Sequence, residues 1–326
     1  MKTPKRYLVP EDFMADPSVH VWDGKIYIYP SHDWEPEDFV ENDNGDHFNM
    51  KDYHVFSLEG NDPMTAEVTD HGKVLDVADI PWAGRQLWDC EVARKDGKYY
   101  MYFPLKDRND IFRLGVAISD KPEGPFIPQP DPVKGSYSID PAIFEEDGNY
   151  YMYFGGLWGG QLQRYKDNKA LECAYLPEGK EPALPGRVVR LSEDMLGFAE
   201  DPKPVVILDE EGKPLTADNP YRFFEASWMH KYNGKYYFSY STGDTHYLCY
   251  AVGDNPYGPF TYKGVIMTPV VGWTTHHSIV EFGGKWWLFH HDSVPSGGKT
   301  WLRSLKVCEL QYDENGNILP IEGLDE

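Results

Sequence analysis

Apolar and polar positions alternate along the chain in one short pattern that occurs five times. A polar residue heads a strand-length alternating run, two turn residues ending in Gly follow, and a second, aromatic-rich run comes after. The copies are DPSVHVWDGKIYIYPS from Asp16, DCEVARKDGKYYMYFP from Asp89, DPAIFEEDGNYYMYFG from Asp140, EASWMHKYNGKYYFSYS from Glu225 and HHSIVEFGGKWWLFHH from His276. Their turns are Asp23-Gly24, Asp96-Gly97, Asp147-Gly148, Asn233-Gly234 and Gly283-Gly284. These pairs tolerate the positive φ that both central residues of a type I′ turn require, so each copy is predicted to be a hairpin. The turn glycines lie 73, 51, 86 and 50 residues apart (97−24, 148−97, 234−148, 284−234), room in each interval for a four-stranded antiparallel blade and its loops. A second repeat agrees: VAISDKPEGPF (116–126) matches YAVGDNPYGPF (250–260). No long amphipathic helical pattern occurs; LSEDMLGF (191–198) offers a helical turn at most. The expectation is an all-β, five-bladed β-propeller forming one domain over residues 1–326. The Pro-rich, charged stretch 157–224 is read as blade strands with long loops.

Composition narrows the function. Aromatic residues make up 15% of the chain, which suits strands and also a site that stacks flat rings. A net charge of −22 argues against nucleic acid and anionic membranes as partners, and leaves carboxylates that could hold a hard cation. Cys90, Cys173, Cys249 and Cys308 form no CxxC pair, so free thiols are expected rather than a zinc or redox motif. The N-terminal stretch has basic residues but no apolar run of signal-peptide length, and no window approaches a membrane span. A soluble, cytoplasmic protein is the expectation.

The heads of the repeats carry the chemistry. Asp16, Asp89, Asp140 and His276 each lie 8 residues before their turn glycine, and Glu225 lies 9 before Gly234 (24−16, 97−89, 148−140, 284−276, 234−225). On a propeller that position is the start of the innermost strand, at one mouth of the central channel, where five blades bring five ionisable groups together. A single acid before a strand can simply cap a turn. Five at one position imply a cluster whose mutual repulsion raises at least one pKa. Converging carboxylates near aromatic faces, without a Ser-His-Asp or Cys-His signature, suggest glycosidic bond cleavage. Trp88 lies just ahead of the second head, at the pocket mouth; Trp22, Trp286 and Trp287 sit inside strands, where packing is expected.

Ala15-Asp16-Pro17-Ser18-Val19, Ser138-Ile139-Asp140-Pro141-Ala142-Ile143-Phe144 and Phe224-Glu225-Ala226-Ser227-Trp228 resemble the three acid motifs of glycoside hydrolase family 43, a family of five-bladed propellers with β-xylosidases, α-L-arabinofuranosidases and arabinanases. The resemblance runs through all five blades. It implies an inverting reaction with Asp16 as general base, Glu225 as general acid and Asp140 as the group that tunes and orients the acid. It also implies that Trp88 stacks on the sugar, that Arg303 in Trp301-Leu302-Arg303-Ser304 contacts its hydroxyls, and that Phe224 and His276 border the substrate. His276 looks like the channel histidine that in many members sits beside a hydrated metal, often Ca²⁺; a channel histidine bonded to an acid without metal is the alternative. His277 is expected to face the other way. No organic cofactor is implied. Two features depart from the family: Asp89, where many members have Ala, adds a carboxylate as metal-water ligand, substrate contact or turn residue, and no C-terminal β-sandwich closes the pocket, so loops or a second subunit of a homo-oligomer must.

The leading expectation is an exo-acting enzyme that releases pentose, xylose first, from short β-1,4-xylo-oligosaccharides. The alternatives are an α-L-arabinofuranosidase, an endo-acting arabinanase or xylanase, and a non-catalytic sugar-binding propeller, which needs no acid triad. A propeller phosphorylase would need cations at the pocket, for which Arg85, Arg108 and Arg113 are the nearest candidates.

Overall fold

A computed structural model of the chain describes residues 3–324. Five sheets, antiparallel but for one added strand in blade 4, surround one axis. Blade 1 comprises Met14–Trp22, Lys25–Trp34, Asn49–Glu59 and Glu67–Asp76 in that order from the axis outwards. Blade 3 comprises Ala142–Glu146, Asn149–Phe154, Arg187–Arg190 and Lys203–Pro204. The innermost strands of blades 2, 4 and 5 are Glu91–Lys95, Glu225–Tyr232 and Ser278–Phe282. Each innermost strand touches those of both neighbouring blades, so the ring is closed. The five hairpin turns have positive φ at both central residues, from Asp23 (53°) and Gly24 (79°) to Gly283 (62°) and Gly284 (76°), as the turn chemistry predicts.

Two blades are more elaborate than a plain four-stranded unit. In blade 2, Ala83–Leu87 pairs with the far half of Lys98–Asp107 while Glu91–Lys95 pairs with its near half. In blade 4, Ile207–Leu208, drawn from the long 157–224 stretch, adds a parallel strand to Phe260–Met267. Parallel pairing needs a long crossover connection, and that stretch is long enough to supply one. Residues 191–198 form a bridged turn between Leu191 and Phe198. The hydrophobic core lies between adjacent sheets: Tyr29 and Tyr53 of blade 1 meet Met101 and Phe103 of blade 2, and Trp228 and Tyr250 of blade 4 meet Ile279 and Leu288 of blade 5.

Closure of the ring is a feature the repeat pattern does not announce. The outermost strand of blade 5 is Lys5–Tyr7, paired with Ser304–Leu310 (Lys5 opposite Cys308). A buried ion pair fastens it: Lys306 Nζ lies 2.8 Å from Asp292 Oδ2, and the Tyr7 hydroxyl donates to Asp292 Oδ1 at 2.8 Å. The four cysteines are free thiols. No helix of the described residues is long and apolar enough to cross a membrane.

Candidate active site

The five heads converge. Asp16, Asp89, Asp140, Glu225 and His276 all line one cavity of about 270 Å³ at the mouth of the channel, with Trp88, Phe224 and Arg303 also in its wall. The acids, His276, Trp88, Phe224 and Arg303 expected at a sugar site are therefore at one place. Positive φ falls on Asp16 (46°), Asp140 (60°) and Ala226 (59°), each eight residues before its turn glycine (24−16, 148−140, 234−226). Ala226, not Glu225, is thus the counterpart of the two aspartates, and Glu225 enters the pocket from one residue earlier. A bulge between Glu225 and Trp228 matches the one between Ala15 and Ser18 and holds both heads in this shape. Ala226 N–H donates to Asp140 Oδ2 at 2.7 Å, which ties the third head to the fourth. Left-handed backbone at non-glycine residues costs about 1–3 kcal/mol each and persists only where the surroundings impose it.

Asp16 is built to stay charged. Arg303 Nη1 donates to its Oδ1 at 2.8 Å and the Ser31 hydroxyl to its Oδ2 at 2.6 Å. Burial alone would raise this carboxyl; the Arg303 guanidinium overrides it and holds Asp16 well below the usual carboxylate range. His291, 3.5 Å from the same oxygen, adds no charge, because burial pulls its pKa to about 3. Its Nδ1 accepts from the Asp16 backbone N–H at 3.1 Å, so its proton sits on Nε2, facing Thr274. Arg303 is in turn gripped by Asp33, with Nε and Nη2 donating at 2.8 and 2.7 Å. Its remaining N–H groups meet Thr274 Oγ1 (3.2 Å) and Met50 Sδ (3.9 Å). A sugar hydroxyl reaching Arg303 would have to take the place of one of those two weaker partners.

Glu225 is the opposite case. Burial, then the charges of Asp140 and Asp16, push its carboxyl well above the usual range. Asp140 is also raised by burial, although the Ala226 N–H opposes the shift. Asp89, whose role the sequence leaves open, lies beside Asp140 and is raised well above the usual range by burial and by that neighbour. Both Asp89 oxygens are buried and neither is met by a well-formed hydrogen bond. His276 Nδ1 lies 3.7 Å from Asp16 Oδ1 and 3.9 Å from Asp140 Oδ1, while His277 turns away and bonds Ser239 Oγ at 2.6 Å. Asp89, Asp140 and His276 each present a ligand atom within 4.8 Å of the others. Two carboxylates, one with orphaned oxygens, and an imidazole fit a hard divalent cation, with water completing the shell.

The walls are aromatic. Trp88 is buried to 8% exposure, its indole N–H spent on the Phe48 carbonyl at 3.2 Å, with Phe112 4.7 Å away between ring centroids. A Cβ on Gly45 would stand 2.7 Å from the Trp88 ring, so only glycine lets that loop lie against it. Phe224 is buried and packs edge-on against Trp158 and Trp273, two lining residues the sequence reading did not single out. Trp158 lies in Leu157-Trp158-Gly159-Gly160, where the flanking glycines were the available signal; Trp273 stands three residues before His276. Trp22, by contrast, stacks on His20 and meets Tyr99 edge-on, and Trp287 is buried, in packing roles as expected. Arg85, Arg108 and Arg113 are outside the pocket and bonded to Asp110, the Pro81 carbonyl and Asp107. The described pocket therefore offers no free cation for a phosphate.

The family model for glycosyl hydrolases family 43 matches residues 7–318. A xylosidase/arabinosidase of Bacteroides ovatus is 77% identical over 328 residues, covering 100% of both chains. Xylosidase/arabinosidase 43A of Humicola insolens is 62% identical, over 96% of this chain and 98% of its own. Among solved structures, the RS223 β-xylosidase superposes with a TM-score of 0.96 at 73% identity over 99% of each chain. A β-xylosidase/α-arabinofuranosidase from a compost microbial metagenome, solved with xylotriose in a calcium-free form, gives 0.95 at 58% identity over 100% of this chain and 99% of its own. With this match across a closed five-bladed ring and four carboxyls gathered at its mouth, the chain belongs to glycoside hydrolase family 43.

Proposed function

We propose that the protein is an inverting β-xylosidase that removes xylose from short β-1,4-xylo-oligosaccharides, with Asp16 as general base and Glu225 as general acid. One observation carries the assignment: two carboxyls of one pocket are pushed in opposite directions, Asp16 down by Arg303 and Glu225 up by burial and like charge. Such a pair separates a base that is ionised from an acid that keeps its proton. Glu225 protonates the glycosidic oxygen as the C–O bond breaks. Asp16 takes a proton from the water that attacks the anomeric carbon from the opposite face, so the configuration inverts. Asp140 holds the Ala226 amide and adds the negative charge that keeps Glu225 protonated. Trp88 and Phe224 supply apolar faces for the sugar, and Arg303 acts chiefly by fixing and charging Asp16.

Xylose as the released sugar is supported by the names of the similar proteins, which also support a second activity on α-L-arabinofuranosyl groups at the same site. The pocket favours neutral sugars, since its one guanidinium is fully engaged and its other charged groups are acids. Asp89, Asp140 and His276 would hold Ca²⁺, His276 through water. Bound there, the ion supplies positive charge that favours the ionised form of the neighbouring carboxylates.

Hydrolysis of an aryl β-xyloside, an aryl α-arabinofuranoside, xylotriose and linear arabinan, with NMR of the first anomer formed, tests the reading. Xylose of inverted configuration from xylotriose is the expected result. Retained configuration, or silence on both xylosides from folded protein with calcium present, overturns it.

A further inference from the structure

We infer that blade 1 carries a metal site separate from the channel axis, in which His32, Asp52 and His54 bind a zinc-like divalent cation and brace the strand segment that supports Asp16.

His32 lies on Lys25–Trp34, while Asp52 and His54 lie two residues apart on the neighbouring strand Asn49–Glu59. Strand alternation puts Asp52 and His54 on one face of the sheet. Each of the three residues presents a ligand atom within 4.8 Å of those of the other two. A tetrahedral zinc ion, with bonds of about 2.0–2.2 Å, needs its ligands about 3.3–3.6 Å apart, so small side-chain rotations close the set. His32 Nδ1 is 2.8 Å from Asp52 Oδ1, and the two imidazole rings are 5.2 Å apart between centroids, at 76°. None of the three residues lines the pocket that holds Asp89, Asp140 and His276. The donor chemistry differs as well. Two imidazoles and one carboxylate suit a borderline first-row cation, whereas the axial set, richer in oxygen, suits Ca²⁺.

The outer partners point to a metal independently. His32 Nε2 faces Asp12 Oδ1 at 3.3 Å, and His54 Nδ1 faces Asp70 Oδ1 at 3.3 Å. Asp70 is itself fixed by the Gly72 N–H at 2.7 Å, and the Trp34 indole N–H donates to Asp52 Oδ1 at 3.0 Å. Each imidazole thus has one nitrogen held by a carboxylate of its own. That leaves His32 Nδ1 directed at Asp52, and His54 Nε2 with no hydrogen-bond partner among the described residues. A carboxylate on the far nitrogen is how a metal-binding histidine has its tautomer and ring orientation set. An ordinary ion-paired histidine needs one acid; here two histidines have one each and converge on a third.

Position gives the site a consequence. Strand neighbours alternate, so His32 faces the cluster while Ser31 and Asp33 face Asp16 and Arg303. Ser31 donates to Asp16 Oδ2 at 2.6 Å, and Asp33 accepts from the Arg303 backbone N–H at 2.9 Å and from its Nη2 at 2.7 Å. The Asp33 N–H also donates to the Phe13 carbonyl at 2.8 Å, next to Asp12. A cation shared by His32, Asp52 and His54 therefore ties the third strand of the blade to the segment that positions the base and its arginine.

The test uses tag-free enzyme stripped with EDTA and dialysed against Zn²⁺ in the presence of excess Ca²⁺, with bound zinc measured by atomic absorption. The parent and His276→Ala should each hold one zinc per chain, and His54→Ala none. Asp70→Asn keeps all three ligands and should bind about tenfold more weakly. The Asp70 side chain is 51% exposed, so this variant serves the comparison even if His54→Ala unfolds. Zinc should raise the melting temperature and slow amide hydrogen exchange at residues 31–33 in the parent, and do neither in His54→Ala. No zinc in the parent, or unchanged binding in both His54→Ala and Asp70→Asn, overturns the site. Zinc lost from His276→Ala places the ion on the channel axis and overturns it too. Bound zinc that leaves exchange at residues 31–33 unaltered overturns the bracing role.

Discussion

Replacing Glu225 by Gln keeps the shape of the side chain and removes only its proton. A positioned general acid contributes roughly 10²–10⁴ in rate, or about 2.7–5.4 kcal/mol of barrier at 1.36 kcal/mol per decade. That whole factor should be lost on xylobiose, whose leaving alcohol needs protonation, and little of it on 2,4-dinitrophenyl xyloside, whose leaving group departs as an anion. The pH profile provides an independent check. Because Glu225 is raised by burial and by Asp140 and Asp16, the alkaline limb of kcat/KM for the unaltered enzyme should lie above the ordinary glutamate pKa. In Glu225→Gln that limb should vanish on the activated substrate. Stability separates loss of chemistry from loss of fold. A raised carboxyl contributes fully below its unfolded pKa of about 4.3, and the contribution is lost as pH rises through the higher folded value. At neutral pH the glutamine variant should therefore melt higher than the parent, while being the poorer enzyme. Stopped assays on both glycosides and thermal melts at pH 4 and 7 cover all three points. Equal loss on the two substrates, or a lower melting temperature at pH 7, would refute the assignment of Glu225 as the protonated acid.

Asp16→Asn should abolish turnover of both substrates and also lower the melting temperature at pH 7. A depressed carboxyl contributes its stability above the unfolded pKa, about 3.9, and loses it as pH falls, so the gap from the parent should shrink in acid; substantial residual turnover would sink the base assignment. Lys306→Met strands the buried Asp292 carboxylate and should cost about 3–5 kcal/mol in urea unfolding, with an unchanged midpoint arguing against the ion pair as the clasp of blade 5. Chelation with EDTA should lower kcat, with recovery on adding Ca²⁺; indifference to both would leave His276 a hydrogen-bonding residue only.

The parts of this molecule that repeat are the parts the sequence makes legible. Turn pairs such as Asp147-Gly148 impose backbone chemistry that can be read locally, and counting back from each glycine brings Asp16, Asp140 and His276 to one mouth of the channel. The same counting leaves Glu225 one residue out of step, a mismatch explained only by the positive φ of Ala226. Arg303 shows where the method fails. It stands out as a cation near the last blade, but its partner Asp33 is 270 residues away, and nothing periodic joins them. The resemblance directs attention to its contact with sugar, whereas the geometry spends its donors on Asp33 and Asp16. Trp158 and Trp273 escape notice because they lie in loops, outside any repeat, where only tertiary contacts decide which ring faces the pocket.

The strand Lys5–Tyr7 has a consequence for how the chain must come together. It pairs with partners some 300 residues away, Lys5 with Cys308, so the strand of the ring that is synthesised first is among the last to find its place. Such long sequence separation makes the final docking an entropically costly, late event. Until then Ser304–Leu310 presents an open edge, able to accept a strand from another molecule. A bulky fusion at the N-terminus would act on that moment rather than on the finished fold, favouring aggregates during synthesis. A tag after residue 326 would leave the docking strand free. The edge in question begins one residue after Arg303, so a chain that fails to dock its first strand also leaves unsupported the strand that starts at the site.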